Sequence, residues 1–499
     1  MKLLEAEVHN SLRAFLRQQG QPLWDHHLTM ARLVSRGLRL GRSAIIQTGN
    51  TVSRYGLSYL MPALLSDRRV LLVASLTVQQ KLLQDVIPSL QEWLQTDQII
   101  ETQNDQLTRE NFAGLLMVSP QTWLRDHLEN QSRFTSNIPT LIDEANQLEK
   151  WTREYLTITI ESNHWQELQK SNPSAGNLIQ EVYLSLHKSI LSRPNNPYQC
   201  YLLYAEESEE LQHLEKIVID NSPFQKFLQQ ISLENKLIWA SIDRKNNDFS
   251  LHLSPLEVAS TLKPIWQTSS VVLMGGFLDS QKTASTYRDT IGLNDDILCL
   301  KFSPNRQNEL IKLYILDRLP MPNTPEFQGV MLNQVYALVQ LCCHREELII
   351  IIVDDVPLKA QVGTALAAEF GSRVQVEKIE ISHDSILISG WDFWQINYEQ
   401  LPIPQLLVMV TLPIPSLENP LVAAHVNYYK KNHKDWFRLY LLPTALRTIQ
   451  RAVMPLRESQ GVLALLDNRV NYRSYGNRIL NALEPYAKIN YLDRSWFPE

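Results

Sequence analysis

The sequence predicts an α/β fold: two similar-sized lobes, each a parallel β-sheet flanked by helices, with a mainly helical insertion in the first lobe. Three observations carry this. Apolar runs of strand length recur at 44–46, 70–74, 115–118, 271–274, 348–353, 406–410 and 462–466, as in strands buried on both faces of a sheet. Helical text separates them, which makes the sheets parallel and doubly wound. Between about 150 and 265 the strand runs stop and polar helical text takes over. The chain accordingly divides into 1–149 (first lobe), 150–265 (insertion), 266–304 (return to the first lobe) and 305–499 (second lobe).

At 499 residues the chain has room for about three domains, each able to bury its own core. With 44% hydrophobic and 20% charged residues it has an ordinary globular composition. No stretch reaches the roughly 18 uninterrupted apolar residues of a membrane span. Glu5, Glu7 and His9 stand where a signal peptide would be basic and then apolar, so a cytoplasmic protein with no membrane partner is expected. Cys200, Cys299, Cys342 and Cys343 show neither metal-ligand spacing nor a disulfide framework and read as buried thiols in a reducing compartment. The net charge of −6 conceals a basic end: residues 420–499 carry 12 Lys/Arg against 6 Asp/Glu, leaving −12 on the remainder. Such an end suits a phosphate backbone, and equally a solvated face.

In chain order, residues 1–42 read as helices, with Leu3, Leu4, Val8, Leu12, Phe15 and Leu16 near helical spacing. Arg32, Arg36, Arg39 and Arg42 lead into the first strand, Ala44-Ile45-Ile46. After it comes the polar turn Gln47-Thr48-Gly49-Asn50-Thr51-Val52-Ser53-Arg54-Tyr55-Gly56 and an apolar helix from Leu57. Strand, polar turn, helix is where a phosphate-binding loop belongs, but the glycines and lysine of such a loop are missing. The strand 70–74 ends at Ser75, and 115–118 closes at Ser119-Pro120. Thr140-Leu141-Ile142-Asp143-Glu144-Ala145-Asn146 then delivers two carboxylates to the C-terminal edge of a sheet. In a nucleotide hydrolase Asp143 would hold Mg²⁺ and Glu144 would orient the attacking water. In the alternative, the pair is a strand end and helix cap.

The insertion carries Glu206, Glu207, Glu209, Glu210 and Glu215 and the loop-like Arg193-Pro194-Asn195-Asn196-Pro197. Its acidity would repel a phosphate backbone, which points to a protein partner or plain solvent. Val271-Val272-Leu273-Met274-Gly275-Gly276 resumes the first sheet. In the second lobe the run 348–353 ends at Asp354-Asp355, and 406–410 and 462–466 are its later strands.

Ordered motifs towards the C-terminus carry a resemblance. Leu412-Pro413-Ile414-Pro415-Ser416-Leu417-Glu418-Asn419-Pro420-Leu421-Val422-Ala423-Ala424, Phe437-Arg438, Leu442-Pro443-Thr444-Ala445, the segment from Gln450 to Arg457, and Leu466-Asp467-Asn468-Arg469 with Tyr475-Gly476 follow one another. In that order they resemble segments of the DinG/XPD branch of superfamily 2 DNA helicases. The resemblance spans nearly the whole chain, with Asp143-Glu144 in the DEAH position and Ser119-Pro120-Gln121 near the motif before it. It implies two RecA-like lobes of the P-loop type, an arch-like position for the insertion, ATP with Mg²⁺ as cofactors, and single-stranded or forked DNA as partner. The nucleotide-binding positions it implies are Gly49, Asn50, Thr51, Ser53, Arg54, Tyr55, Gly56 and Gln450. In an active enzyme Asp143, Glu144 and Arg457 would be catalytic, with Asp143 the Mg²⁺ ligand. Lys430, Lys431, Lys434, Arg451, Arg473 and Arg478 are the candidate nucleic-acid contacts, interleaved with Tyr428, Tyr429, Trp436 and Phe437. These rings are either stacking platforms for bases or core residues behind a wet lysine face.

The chain departs from the family where the chemistry is done. Tyr55 stands at the lysine position, Gly56 at that of the Mg²⁺-binding hydroxyl, and Asn50, Val52 and Arg54 at the preceding glycines. A one-residue gap would put Arg54 in the lysine's place, where its wide fork is a poor substitute for a compact ammonium. The coupling motif is Gly275-Gly276-Phe277, without hydroxyls. Motif V reads Phe393-Trp394-Gln395-Ile396-Asn397-Tyr398, without its acids and glycine, and Asn146 replaces the DEAH histidine. Met454 stands where an arginine finger belongs, a group worth about 10³ or more in rate. No cysteine lies between Gly49 and Asp143, which excludes the iron–sulfur cluster of many relatives. The stretch before residue 44 is too short for the exonuclease domain of others. Losing these groups together leaves no way to stabilise the charge of phosphoryl transfer. The expected function is a helicase paralogue without ATPase activity that binds single-stranded DNA, a protein partner through the acidic insertion, or both. The alternatives are an active ATP-dependent DNA helicase with an atypical phosphate-binding loop, and a protein-interaction scaffold only. A role in DNA repair follows from the family alone.

Overall fold

The computed structural model describes residues 3–496, apart from 21–23, 97, 99, 103–113, 130, 132, 135–137, 219–221, 343–346 and 494–495. Two seven-stranded sheets, parallel throughout, form the two lobes. The first runs Leu298–Lys301, Ala44–Gln47, Val271–Gly275, Thr140–Ile142, Val70–Val73, Leu115–Val118, Ile100–Thr102. The second runs Val374–Val376, Ile386–Ser389, Leu348–Ile352, Pro404–Met409, Val462–Leu465, Ile311–Ile315, Tyr486–Ile489. The apolar runs of the sequence become the central strands because helices cover both faces: every residue of Leu348–Ile352 is buried, and branched side chains fit such a doubly covered pleat. Helices Leu4–Gln18 and His27–Leu40 lie with Leu57–Leu64 on one face of the first sheet, their Val8, Leu12, Met30 and Val34 sharing a core with Tyr59 and Leu60.

The strands Thr140–Ile142 and Val271–Gly275 are neighbours, so the insertion leaves and re-enters the first sheet at one place. Within it Ile158–Ile160, Asp248–Pro255, Lys236–Asp243 and Cys200–Leu202 form a four-stranded antiparallel sheet. Helices Ser162–Ser171, Gly176–Leu191, Ala205–Gln212 and Pro223–Ile231 contribute to its core around Trp165, Leu186, Phe224 and Phe227. The expectation of a mainly helical unit did not include this sheet. Its long hairpin is only half covered, so buried Leu237, Ala240 and Ile242 are interrupted by partly exposed residues and no apolar run marks the strand. The acidic cluster is also partly internal: Glu207 is buried in an ion pair with Arg193 and accepts the Tyr204 N–H.

Helix Pro420–Lys431 of the second lobe lies against Cys200–Leu202 and Lys236–Asp243, and Lys434 pairs with Glu257 at 3.0 Å. The insertion thus reaches from the first lobe to the second. Cys200 and Cys342 are buried and Cys299 half-buried; Cys343 lies outside the described residues. Among the described residues no helix is long and apolar enough to cross a membrane.

Candidate functional site

The loop after Ala44–Gln47 is tied down by its own backbone. Thr48 and Gly49 donate their N–H groups to the carbonyls of Gly275 and Gly276, both at 2.9 Å, which prolongs the parallel ladder past the strand ends. Gly49 has φ +63° and Gly276 comes so near that a Cβ on it would stand 2.8 Å from the Asn50 carbonyl oxygen, so both positions require glycine. Asn50 N–H donates to Thr48 Oγ1 at 3.3 Å and Thr51 N–H to Asn50 Oδ1 at 2.9 Å. Arg54 and Tyr55 donate to the Thr51 carbonyl and Gly56 to that of Val52. A phosphate-binding nest points such amides at an anion. Here the amides of residues 48–51 and 54–56 have partners within the chain.

Asp143 follows Thr140–Ile142 at the C-terminal edge of the sheet, and it is fully buried. Tyr55 and Tyr59, one helical turn apart and so on one face, donate to its two oxygens: Tyr55 Oη to Oδ1 at 2.5 Å and Tyr59 Oη to Oδ2 at 2.6 Å. The Glu144 N–H adds a third bond to Oδ1 at 2.7 Å. Burial pushes the Asp143 carboxyl up to about 7, against the pull of the two tyrosine hydrogen bonds and with some help from the neighbouring Glu144 charge. Burial and the carboxylate likewise raise both phenols well above their ordinary range. Glu144 itself has φ +51°, faces the inter-lobe cleft and accepts the Ser75 N–H at 3.3 Å. It stands at the N-cap of the turn Ala145–Gln147 without making a side-chain cap bond, so the helix-cap alternative does not describe it.

A Mg²⁺-nucleotide needs an acid with free oxygens, a nearby hydroxyl and a compact cation. Both Asp143 oxygens are engaged by phenols, Tyr55 fills the lysine position, and a Cβ at Gly56 would meet the Val52 carbonyl at 3.0 Å. The residues present do not fit that group. Arg54, the substitute cation, turns from the loop to acids of the connector and the second lobe, reaching Glu309 at 3.1 Å and Glu458 at 2.9 Å. Ser53 bonds Thr51 side chain to side chain at 2.8 Å.

On the second lobe, Gln450 lines the cleft and donates to the Ala482 carbonyl at 3.2 Å. Arg457 does not reach the cleft. It is buried, with Nη1 on the carbonyls of Glu309 and Pro485 and Nη2 on those of Leu483 and Glu484, at 2.8–3.2 Å. Burial lowers it to about 10. In this fold it ties the segment before Ile311–Ile315 to the turn Leu483–Pro485. Met454, at the finger position, is buried at the cleft wall.

The cleft between the lobes holds a cavity of about 390 Å³ whose wall includes Glu144, Lys150, Arg153, Arg447, Arg451 and Tyr398. Arg451 lies 5.4 Å from the Tyr398 ring centroid. Burial draws the Glu149 carboxyl upward, and the Arg153 and Arg447 guanidiniums outweigh it and hold the group below its ordinary range. The other basic candidates lie outside the cavity. Lys430, Lys431 and Arg473 are exposed and Arg478 half-buried. Lys434 is engaged with Glu257 and lies 5.8 Å from the Tyr429 ring. A chain of rings brings the separate basic segments together: Lys430 stands 5.3 Å from Trp436, Trp436 packs on Phe437 at 6.0 Å, and Phe437 on Tyr475 at 5.0 Å, between Arg473 and Arg478. Trp436 and Phe437 are both partly exposed. Sequence reasoning missed Tyr59, Glu309 and Glu458. Only the i, i+4 spacing of Tyr55 and Tyr59 was there to be seen; the two glutamates carry no local signal.

Two parallel-sheet lobes with a cavity between them, lined at one strand end by Glu144, give the architecture of a two-lobed helicase-type fold. The helicase C-terminal domain family matches residues 399–486. The chain is 20% identical over 439 residues to the ATP-dependent DNA helicase YoaA of Escherichia coli (strain K12), covering 77% of this chain and 69% of that one. It is 23% identical over 279 residues to the 3'-5' exonuclease DinG of Bacillus subtilis (strain 168), covering 50% of this chain and 29% of the relative. Among solved structures, an apo XPD superposes with TM-score 0.58 at 14% identity, covering 92% of this chain and all of that one. Xpd4 of S. tokodaii gives 0.58 at 13%, covering 93% and 99%. The chain thus resembles the DinG/XPD branch of the superfamily 2 helicases, in fold over nearly its whole length and in the helicase C-terminal domain over residues 399–486.

Proposed function

We propose that this protein is a nucleic-acid-binding member of its family that does not hydrolyse ATP. The observation that carries the reading is Asp143, whose two oxygens are both held by buried phenols where the mechanism would need them on Mg²⁺. The amides of residues 48–51 and 54–56, bonded inward, support it from the phosphate side. For the ligand, the cations of the cleft and the ring-linked surface of Lys430, Trp436, Arg473 and Arg478 offer the charge and stacking that a single DNA strand takes.

The test is ATP turnover by the full-length protein with Mg²⁺, with and without single-stranded DNA, beside an Asp143→Ala/Glu144→Ala control, followed by anisotropy of a labelled oligonucleotide at about 50 and 200 mM salt. The expected result is turnover no higher than in the control, and oligonucleotide binding that weakens with salt and ignores ATP. DNA-stimulated turnover that disappears in the control would overturn the reading.

A further inference from the structure

We infer that Arg54 and its two glutamates do the mechanical work that a bound nucleotide does in a two-lobed motor: they hold the lobes together from within the chain. In such a motor the γ-phosphate is gripped from both sides, so closure follows nucleotide state. Here a cation on the first lobe's loop is divided between two acids, each on a different part of the molecule.

Glu309 lies in the connector that leaves the first lobe, where the Phe302 N–H donates to the Gln47 carbonyl, and enters the second at Ile311–Ile315. Its carboxylate is buried and takes Arg54 Nη1 at 3.1 Å, Asn50 Nδ2 at 3.3 Å and the Asn305 N–H at 2.6 Å. Its backbone carbonyl takes Arg457 Nη1 of the second lobe at 2.9 Å. Glu458, on helix Met454–Ser459 of the second lobe, takes Arg54 Nη2 at 2.9 Å. One guanidinium therefore ties loop, connector and second lobe at the point where the nucleotide cleft would open. The Arg54 side chain is 19% exposed, that of Glu309 11% and that of Glu458 34%, so water screens the Glu309 arm less, and the Glu458 arm slightly less, than the surface pair Lys81–Glu399 at 36% and 40%, which also crosses the lobes.

The inference rests on the reading that no nucleotide enters at Asp143, and its test uses neither nucleotide turnover nor DNA. Full-length wild type, Glu458→Gln and Arg54→Gln are compared by small-angle scattering and by hydrogen exchange of the 48–56 amides, with circular dichroism as the folding check. Glu458 is partly exposed at the end of its helix, so Glu458→Gln leaves the second core intact and decides the question if Arg54→Gln fails to fold. Expected are a compact wild type, unchanged by added ADP with Mg²⁺, and variants with a longer maximum dimension and 48–56 amides that exchange about 5–30-fold faster. Unchanged dimension and exchange in the folded variants would overturn the inference. So would a wild type that is extended alone and closes only when ADP with Mg²⁺ is added. ATP turnover in the separate assay above would remove the premise and leave the exchange result to stand or fall by itself.

Discussion

Replacing Asp143 with asparagine gives a pH signature that a Mg²⁺-binding aspartate would not. Burial raises the folded carboxyl from an ordinary 3.8 to about 7, while the tyrosine bonds oppose the shift and Glu144 adds to it. The folded state therefore holds the proton more tightly than the unfolded chain. Its contribution to stability is full below pH 4 or so and is lost as pH rises through 7. Integrated between about pH 5.5 and 8.5, this one group removes roughly 2 kcal/mol. Asparagine cannot ionise, so the variant escapes that loss. Its amide nitrogen faces a phenol that must turn to accept, a fixed penalty of about 1 kcal/mol at every pH. For a lobe of this size a change of 1 kcal/mol moves the melting point by about 2–4 °C. Thermal melts followed by tryptophan fluorescence should thus show the variant gaining about 4–8 °C on the wild type between the two pH values. Titrating groups remote from Asp143 cancel in the comparison. Parallel melting curves across the pH range would refute the reasoning, because they would mean a carboxyl that holds its proton no more tightly in the folded than in the unfolded chain.

Two further perturbations separate architecture from ligand contact. Arg457→Lys keeps the charge but cannot reach four carbonyls with one ammonium; urea unfolding should show the second lobe destabilised by about 2–4 kcal/mol, with oligonucleotide affinity unchanged. Trp436→Ala should weaken single-strand binding by about 1–3 kcal/mol, and Lys430→Ala should reduce the salt slope by about 1, both without moving the melting point.

How far the sequence could be read depended on the range of the interactions. Leu348–Ile352 and Pro404–Met409 were visible as strands because burial on both faces leaves almost nothing polar in them. Lys236–Asp243 was invisible for the opposite reason, since its outer face is wet and its inner one irregular. Asp143 was placed correctly at a strand end from its local approach alone, but its chemistry lies in Tyr59, 84 residues away, and Arg54's lies in Glu309, 255 residues away. Arg457 shows the same limit. A motif assigned it to phosphate, and the fold gives all of its described bonds to backbone carbonyls of segments that no local pattern places beside it.

The burial of Asp143 at the sheet edge has a physical explanation. A lone ionised carboxylate buried at the sheet edge would be strongly destabilising, and so would two buried phenols without an acceptor. Together they satisfy one another: the phenols donate, and the raised carboxyl affinity for protons lets the group stay neutral when burial demands it. Removing a phenol would leave the buried carboxyl short of a donor, and removing the acid would leave two buried phenols without their acceptor. The same coupling extends outward. Gly276 lets the loop lie on the strand, the loop's amides bond there, and Arg54 is freed for Glu309 and Glu458. Restoring lysine at 55 would leave the amides bonded inward and a 56 position that admits no hydroxyl without moving the Val52 carbonyl. The conformation of this strand–turn–helix is therefore held by several mutually dependent contacts.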